Sequence, residues 1–359
     1  MLIYFGLVIF WLLLYLIMRD SAFQGKQGRL WFSLLSGVGI FFVMGLRHPD
    51  VGTDTNQYLY LYNDRSLDML SLEIFKFDEW GFYTLNTVIN ILGFENQGYI
   101  LVVSLIISLS FSLFFYKYSK NIFLSFYLHL TIGLFSMSMS GLRQTLAMCL
   151  VLLAFHFLIR RKLVGFFASV LVAYTFHHSA IVFLPVFLLR NVTINKKRGI
   201  VLLTVVTSTM FYRELFTPLI ALVAPDRYLE RYDLISDAYH VNPLLILIAI
   251  AIPTVCLFFW DNIGKLENKE KEIYSILFIL SCINILLNIL SLNSNMIGRL
   301  SFYFIPFNII LIPNIISGIK DKKLRVIAIY LCIILPLIQF IMSTPDGAYS
   351  IDQYKFFFQ

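Results

Sequence analysis

The sequence predicts an all-α, polytopic membrane bundle of about twelve spans, forming one integral domain over residues 1–359, and three observations lead there. Of 359 residues, 59% are apolar and only 14% are charged. The mean hydropathy of +0.79 is more than a domain with a solvated surface sustains. Apolar stretches long enough for about 30 Å of hydrocarbon recur from end to end without strand-like alternation, which selects helices over a barrel.

Cutting the apolar stretches at charges and turn residues places spans near 3–18, 31–46, 98–116, 122–138, 141–159, 163–176, 179–190, 199–213, 243–260, 273–290, 300–317 and 325–342. The first stretch has no basic leader and no small-residue cleavage site, so it reads as a span and not a signal peptide. Glu79 to Phe94 is apolar but reaches only roughly 24 Å as a helix, so it reads as a re-entrant or interfacial outer helix. Pro185 breaks the ladder of 179–190, which suits a tilted or broken span lining a cavity. Cys149, Cys256, Cys282 and Cys332 lie inside apolar segments without CxxC spacing, and they read as filler within the bundle or against lipid.

Loop charge sets the orientation. Alternate loops, from Arg19 through Lys117, Arg160, Lys196 and Lys269 to Arg325, hold nineteen of the 28 basic residues; the other loops hold nine, together with fifteen of the 21 acids. The first set is expected in the cytoplasm and both termini outside. The net charge of +7 therefore reports topology and not nucleic-acid binding.

Polar clusters gather at the outer ends of spans. Arg47 to Tyr58 is dense in polar groups, with Pro49 and Gly52 setting turns around Asp54; it is either a ligand-facing loop or a solvated Asx turn. Arg143 and Gln144 open a span, where an arginine either snorkels or faces a cavity. His177 and His178 form a junction between spans, suited to proton exchange or to a plain interfacial turn. Arg299 repeats the Arg143 arrangement ahead of Tyr303. Outer loops 47–97 and 214–242 are expected to shape a cavity, and Arg227, Tyr228, Glu230 and Tyr239 of the latter suit either gripping sugars or plain solvation. His48 and His240 have no evident partner, and His129 and His156 read as hydrogen-bonded packing histidines. Three arginines on a face poor in basic residues suit diphosphate oxygens, whose geometry the guanidinium fork matches without a metal.

These pieces resemble the EpsG-like exopolysaccharide proteins, a branch of the Wzy-type polymerases. The resemblance rests on Arg47 with Gly52-Thr53-Asp54-Thr55 and Tyr58, Gly141-Leu142-Arg143-Gln144 with Ala147, His178-Ser179-Ala180, Arg299 with Tyr303-Phe304, and the tail Tyr354-Lys355-Phe356. It implies a GT-C-like glycosyltransferase at the outer face of a bacterial inner membrane, without metal or other cofactor. Such an enzyme transfers a growing glycan from undecaprenyl diphosphate to the sugar end of a lipid-linked repeat unit, beside a chain-length regulator protein. By resemblance, Arg143, Arg299 and Arg47 contact diphosphate or sugar, with Gln144, Tyr58 and Tyr303 beside them, and His178 or Asp54 is the base. An O-antigen ligase with the same donor shares this logic. A flippase would need substrate groups at mid-membrane, where acids are nearly absent, and an acyltransferase would need a cytoplasmic donor site.

Overall fold

The computed structural model describes residues 1–18, 25–64, 78–216, 243–263, 267–292, 295–344 and 349–359. Most of the outer loop 214–242 and the middle of loop 47–97 lie outside these residues. The described residues are helical, with one isolated antiparallel bridge between Arg47 and Phe356 and no strand. The chain forms two compact units, one of residues 1–187 and 330–359 and one of residues 188–329.

The first unit contains α1 (Leu2–Ile17), α2 (Lys26–Gly45), α3 (Thr55–Asn63), α4 (Trp80–Ile91), α5 (Asn96–Tyr118), α6 (Ile122–Thr131), α7 (Leu134–Ser140), α8 (Leu142–Ile159) and α9 (Leu163–Phe176). A 3-10 helix, His178–Asn191, follows. Small residues let α2 and α5 approach closely, as membrane helices do when lipid supplies no hydrophobic drive. A Cβ added at Gly37 would fall 2.0 Å from Ser112 Oγ, and Ser33 Oγ donates to the Ser112 carbonyl at 2.7 Å. The fully buried Trp11 donates to the Ser36 carbonyl at 3.1 Å and ties α1 to this pair.

The second unit contains α10 (Lys196–Tyr212), α11 (Pro243–Phe258), α12 (Trp260–Ile263), α13 (Asn268–Leu290), α14 (Asn295–Ser301) and α15 (Ile305–Gly318); α16 (Lys322–Ser343) runs from it into the first. Helix α13 carries a buried polar thread. Asn284 Nδ2 donates to the Ser301 carbonyl, and Asn308 Nδ2 donates to Asn284 Oδ1.

Five helices, α2, α5, α8, α13 and α16, are long and apolar enough to cross a membrane, and a sixth crossing arises if α6 and α7 count as one span. That is five or six crossings among the described residues, against about twelve expected from the sequence. The predicted span 122–138 is bent by 59° where Gly133 adopts positive φ. Helices α1, α9 and α15 and the 3-10 segment have 14 to 16 residues, roughly 21 to 28 Å at the rise of those helix types and short of about 30 Å. The outer helix predicted over Glu79 to Phe94 is present as α4, and the segment with Pro185 is 3-10 and not α-helical.

In the first unit the polar contacts between loops fall into two groups. At one end Arg29 donates to the carbonyls of Ser119 and Lys120, and Lys117 meets His156. At the other end lie Met1, the Arg47 loop, Glu79, the start of α8, His177 and residues 349–356. His156 has the expected partners, Lys117 and the Tyr118 hydroxyl at 2.8 Å. His129 does not. It is fully buried, with neither ring nitrogen hydrogen-bonded, and packs against Phe111 and Phe135 as an aromatic. His48, expected to be alone, pairs with Asp50 at 3.3 Å. Cys149, Cys256 and Cys282 are buried free thiols, and Cys332 is half-buried.

Candidate active site

The polar end of the first unit converges on an acid that no sequence motif marks out. Glu79, the residue before α4, sits in the left-handed region at φ 60°, which costs a non-glycine residue about 1–2 kcal/mol. Its side chain is 9% exposed, so burial must be offset by partners. Three are present. Arg143 Nη1 donates to Oε2 at 2.8 Å, His177 Nδ1 meets Oε1 at 2.5 Å, and the His178 backbone N–H donates to Oε1 at 3.2 Å. Burial pushes the Glu79 carboxyl pKa upward. The His177 hydrogen bond, the charges of His177 and Arg143, and the His178 amide together outweigh it and hold the group below the usual carboxylate range.

Local backbone features bring these groups together. Gly81 lets the first turn of α4 press on the last turn of α9, since a Cβ there would lie 2.1 Å from Thr175 Oγ1 and 2.9 Å from Thr175 Cβ. Helix α9 ends at Phe176, and His177 is extended (φ −157°, ψ 117°) before the 3-10 helix begins. That extended cap turns the His177 ring toward Glu79. Arg143 lies in the first turn of α8, where a cation opposes the helix dipole; the Glu79 carboxylate compensates it. The guanidinium carbon also lies 5.7 Å from the ring centres of both Tyr58 and Phe82, within cation-π reach. Tyr58 and Phe82 pack edge to face at 5.6 Å. Tyr58 is buried, which raises its phenol pKa, against the pull of the Arg143 charge and hydrogen bond.

The predicted residues separate in position. Arg143 and Tyr58 belong to the cluster. His178 meets Glu79 through its main chain only, and its ring stacks on Tyr174 with centres 4.5 Å apart. Asp54 is half-buried at the start of α3, one turn before Tyr58 and within its electrostatic reach. Gln144 is buried at the start of α8. Arg47 is not available to a diphosphate. It is 0% exposed, and its Nε, Nη1 and Nη2 donate to the carbonyls of Val51, Met44 and Met139 at 3.2, 2.5 and 3.1 Å. Burial lowers its pKa to about 10. Arg299 and Tyr303 belong to the second unit; Arg299 is exposed on α14 and Tyr303 fully buried.

Residues 349–356 strap this end. The carbonyls of Tyr349, Ser350, Ile351, Asp352 and Lys355 accept from Ser140 Oγ, the Gly52 amide, the Tyr4 hydroxyl, the Met1 amine and the His48 amide. Tyr354 donates to the Val43 carbonyl at 2.9 Å. Ser140 is the junction, because it also accepts from the Thr53 amide and hydroxyl, each at 3.1 Å. It thereby joins the segment leading to Arg143 with the segment leading to Tyr58. Among the described residues no cluster of three or more His, Cys, Asp or Glu side chains suits a metal ion.

The arrangement holds a histidine whose Nδ1 is fixed by a carboxylate, leaving Nε2 as the ring's proton acceptor, beside an arginine able to meet an anion. The EpsG family model matches residues 30–356, which takes in every residue of this cluster. No curated protein and no solved structure matches the chain significantly.

Proposed function

The chain belongs to the EpsG family, and from that premise we propose that it is a membrane glycosyltransferase of the polysaccharide polymerase type. The donor is a growing glycan on undecaprenyl diphosphate, and the acceptor is the sugar end of a lipid-linked repeat unit. The reaction takes place at the outer face of the bacterial inner membrane. The observation that carries this reading is the Glu79 carboxylate shared by Arg143 and His177.

In the step proposed, His177 Nε2 removes the proton of the acceptor hydroxyl as its oxygen bonds to the donor's anomeric carbon. The bond from that carbon to the diphosphate oxygen breaks, and its electron pair leaves with the diphosphate. Glu79 holds His177 in the tautomer with hydrogen on Nδ1 and stabilises the imidazolium that forms, the role a carboxylate plays behind a general-base histidine. Arg143 offers the guanidinium donors that Glu79 and Tyr58 leave unused to the departing diphosphate, whose charge grows in the transition state. The aromatic faces of Tyr58 and Phe82 keep that guanidinium oriented. His177 takes the role of base in place of His178, because its ring and not its main chain engages the carboxylate. Arg299 is retained as a separate phosphate contact on its own unit.

The test is purified protein given synthetic lipid-linked repeat units, with glycan length read on a gel. His177→Ala is expected to abolish the ladder, a loss of about 100-fold or more for a general base, while His178→Ala retains it within a few-fold. The reverse ranking would sink the assignment of the base. Transfer onto a lipid other than a repeat unit, with no ladder, would point to the ligase.

A further inference from the structure

The second unit has a cavity far from this chemistry in the chain. It has a volume of about 840 Å³ and is lined by residues 193–198 ahead of and within α10, Trp260, Asp261, Lys271 and Ser275. That volume is in the range of sites for small ligands. Its electrostatics are lopsided. Lys196, Lys197, Arg198 and Lys271 face a single acid, Asp261, which Lys196 already engages at 2.8 Å. Among the described residues no ion pair reaches Lys197, Arg198 or Lys271. Three cations therefore line a concave space with no protein anion assigned to them.

The flanks of the cavity are apolar and uncovered. On α10, Ile200, Val201 and Val205 are 48%, 62% and 57% exposed, and Arg198, Val201 and Val205 follow one another at helical spacing on one stripe. On α11, Val255 and Phe258 are exposed just before Trp260. The two helices meet closely at Gly199, where a Cβ would lie 2.6 Å from Leu257 Cδ2. A basic cavity thus opens at the foot of an exposed apolar surface made by two adjacent helices. A soluble anion would use the cations alone. An amphiphile with an anionic head and apolar chains matches both parts.

We propose that this cavity seats the phosphodiester headgroup of an anionic membrane lipid, with its acyl chains lying along the exposed faces of α10 and α11. Arg198 and Lys197 contact the phosphate oxygens, and Lys271 closes the ring of charge from α13. Lys197, Arg198 and Lys271 are among the basic residues that the loop-charge bias of the sequence assigns to the cytoplasmic side. The lipid therefore comes from the inner leaflet, and the site does not depend on the transfer chemistry proposed above.

Trp260 supplies the probe. Full-length protein is reconstituted in phosphatidylcholine vesicles containing a small fraction of phosphatidylglycerol brominated near the headgroup. Quenching is taken as the difference between wild type and Trp260→Phe. Brominated phosphatidylglycerol is expected to quench this signal several-fold more than the same fraction of brominated phosphatidylcholine. The combined Lys197→Gln, Arg198→Gln and Lys271→Gln variant, checked for folding by its thermal transition, is expected to lose the preference. Equal quenching by the two lipids, or a preference that survives the triple substitution, overturns the proposal. Abolition of the preference by millimolar inorganic phosphate at constant ionic strength would overturn the lipid in favour of a small soluble anion.

Discussion

Replacing Glu79 with Gln keeps the size of the side chain and removes its charge, so it isolates what the carboxylate does. In the wild type the group accepts three hydrogen bonds, from Arg143, His177 and the His178 amide. Hydrogen bonds to charged groups contribute about 1.5–3 kcal/mol each, but Arg143 is 29% and His177 20% exposed, so solvent screening reduces their share. A net loss of about 2–3 kcal/mol is expected, with the glutamine amide recovering part of the bonding. The sign of the pH dependence follows from the depressed carboxyl pKa. The stability it contributes is fully present above the unfolded carboxyl value, about 4.3, and is lost as pH falls through the lower folded value. Thermal unfolding in detergent should therefore show wild type converging on Glu79→Gln below about pH 4 and separating from it above about pH 5. Catalysis should suffer more than folding. A glutamine can present its N–H₂ to Nδ1 and reverse the histidine tautomer, a change expected to cost roughly 100- to 10,000-fold. A folded Glu79→Gln protein that elongates glycan within about three-fold of wild type would refute both the tautomer argument and the site.

Arg47→Ala removes a buried donor from three backbone carbonyls, of which Thr55 Oγ1 still reaches those of Val51 and Met139, and should lower stability by about 2–4 kcal/mol, read as loss of folded protein in detergent. Arg47→Lys, if it folds, should leave the KM for the lipid donor unchanged; a raised KM would restore the phosphate role. Gly81→Ala drives a methyl against Thr175 Oγ1 and Cβ, forcing α4 away from α9 at a cost of about 1–3 kcal/mol. Its elongation rate should fall far more than its Tm, and an unaffected rate would show that Glu79 need not touch His177. Ser140→Ala removes the hydroxyl that joins Thr53 to Tyr349, worth about 1–2 kcal/mol. It should raise the KM for the donor while kcat stays within a few-fold of wild type.

What could be read from sequence was what local polarity encodes. Arg143 announced itself as an arginine at the end of a span where the basic bias does not require one, and the histidine pair marked the junction beside it. The segment from Glu79 was recognised as too short to cross, and it forms α4. Glu79 itself was absorbed into the acid-rich outer loops as evidence of sidedness. The signal that distinguishes it is an acid directly before an apolar helix that folds back onto the bundle. Choosing between His177 and His178 requires the extended backbone at the α9 terminus, which depends on where the helix stops. Arg47 was misplaced because the acceptor that encloses it on one side, the Met139 carbonyl, is 92 residues away. The five or six helices of spanning length among the described residues, against about twelve expected, have a related reason. Hydropathy counts apolar residues, but Gly133 and the 3-10 segment shorten the helices those residues form.

The strap has a bearing on the order in which the molecule is assembled. Tyr349 takes its hydrogen bond from a hydroxyl 209 positions earlier, and Phe356 bridges to Arg47. Contacts of such long sequence separation form late, because the intervening chain must be ordered first. Here the intervening chain includes α5, α8, α13 and α16, all long enough to be threaded into a bilayer. The carbonyls of Met44, Val51 and Met139 that hold Arg47, and the Thr53 groups that meet Ser140, belong to earlier chain and are in place before the strap. The segments that carry Tyr58 and Arg143 are already joined through Thr53 and Ser140, so residues 349–356 brace from outside a spacing that the earlier chain sets for itself.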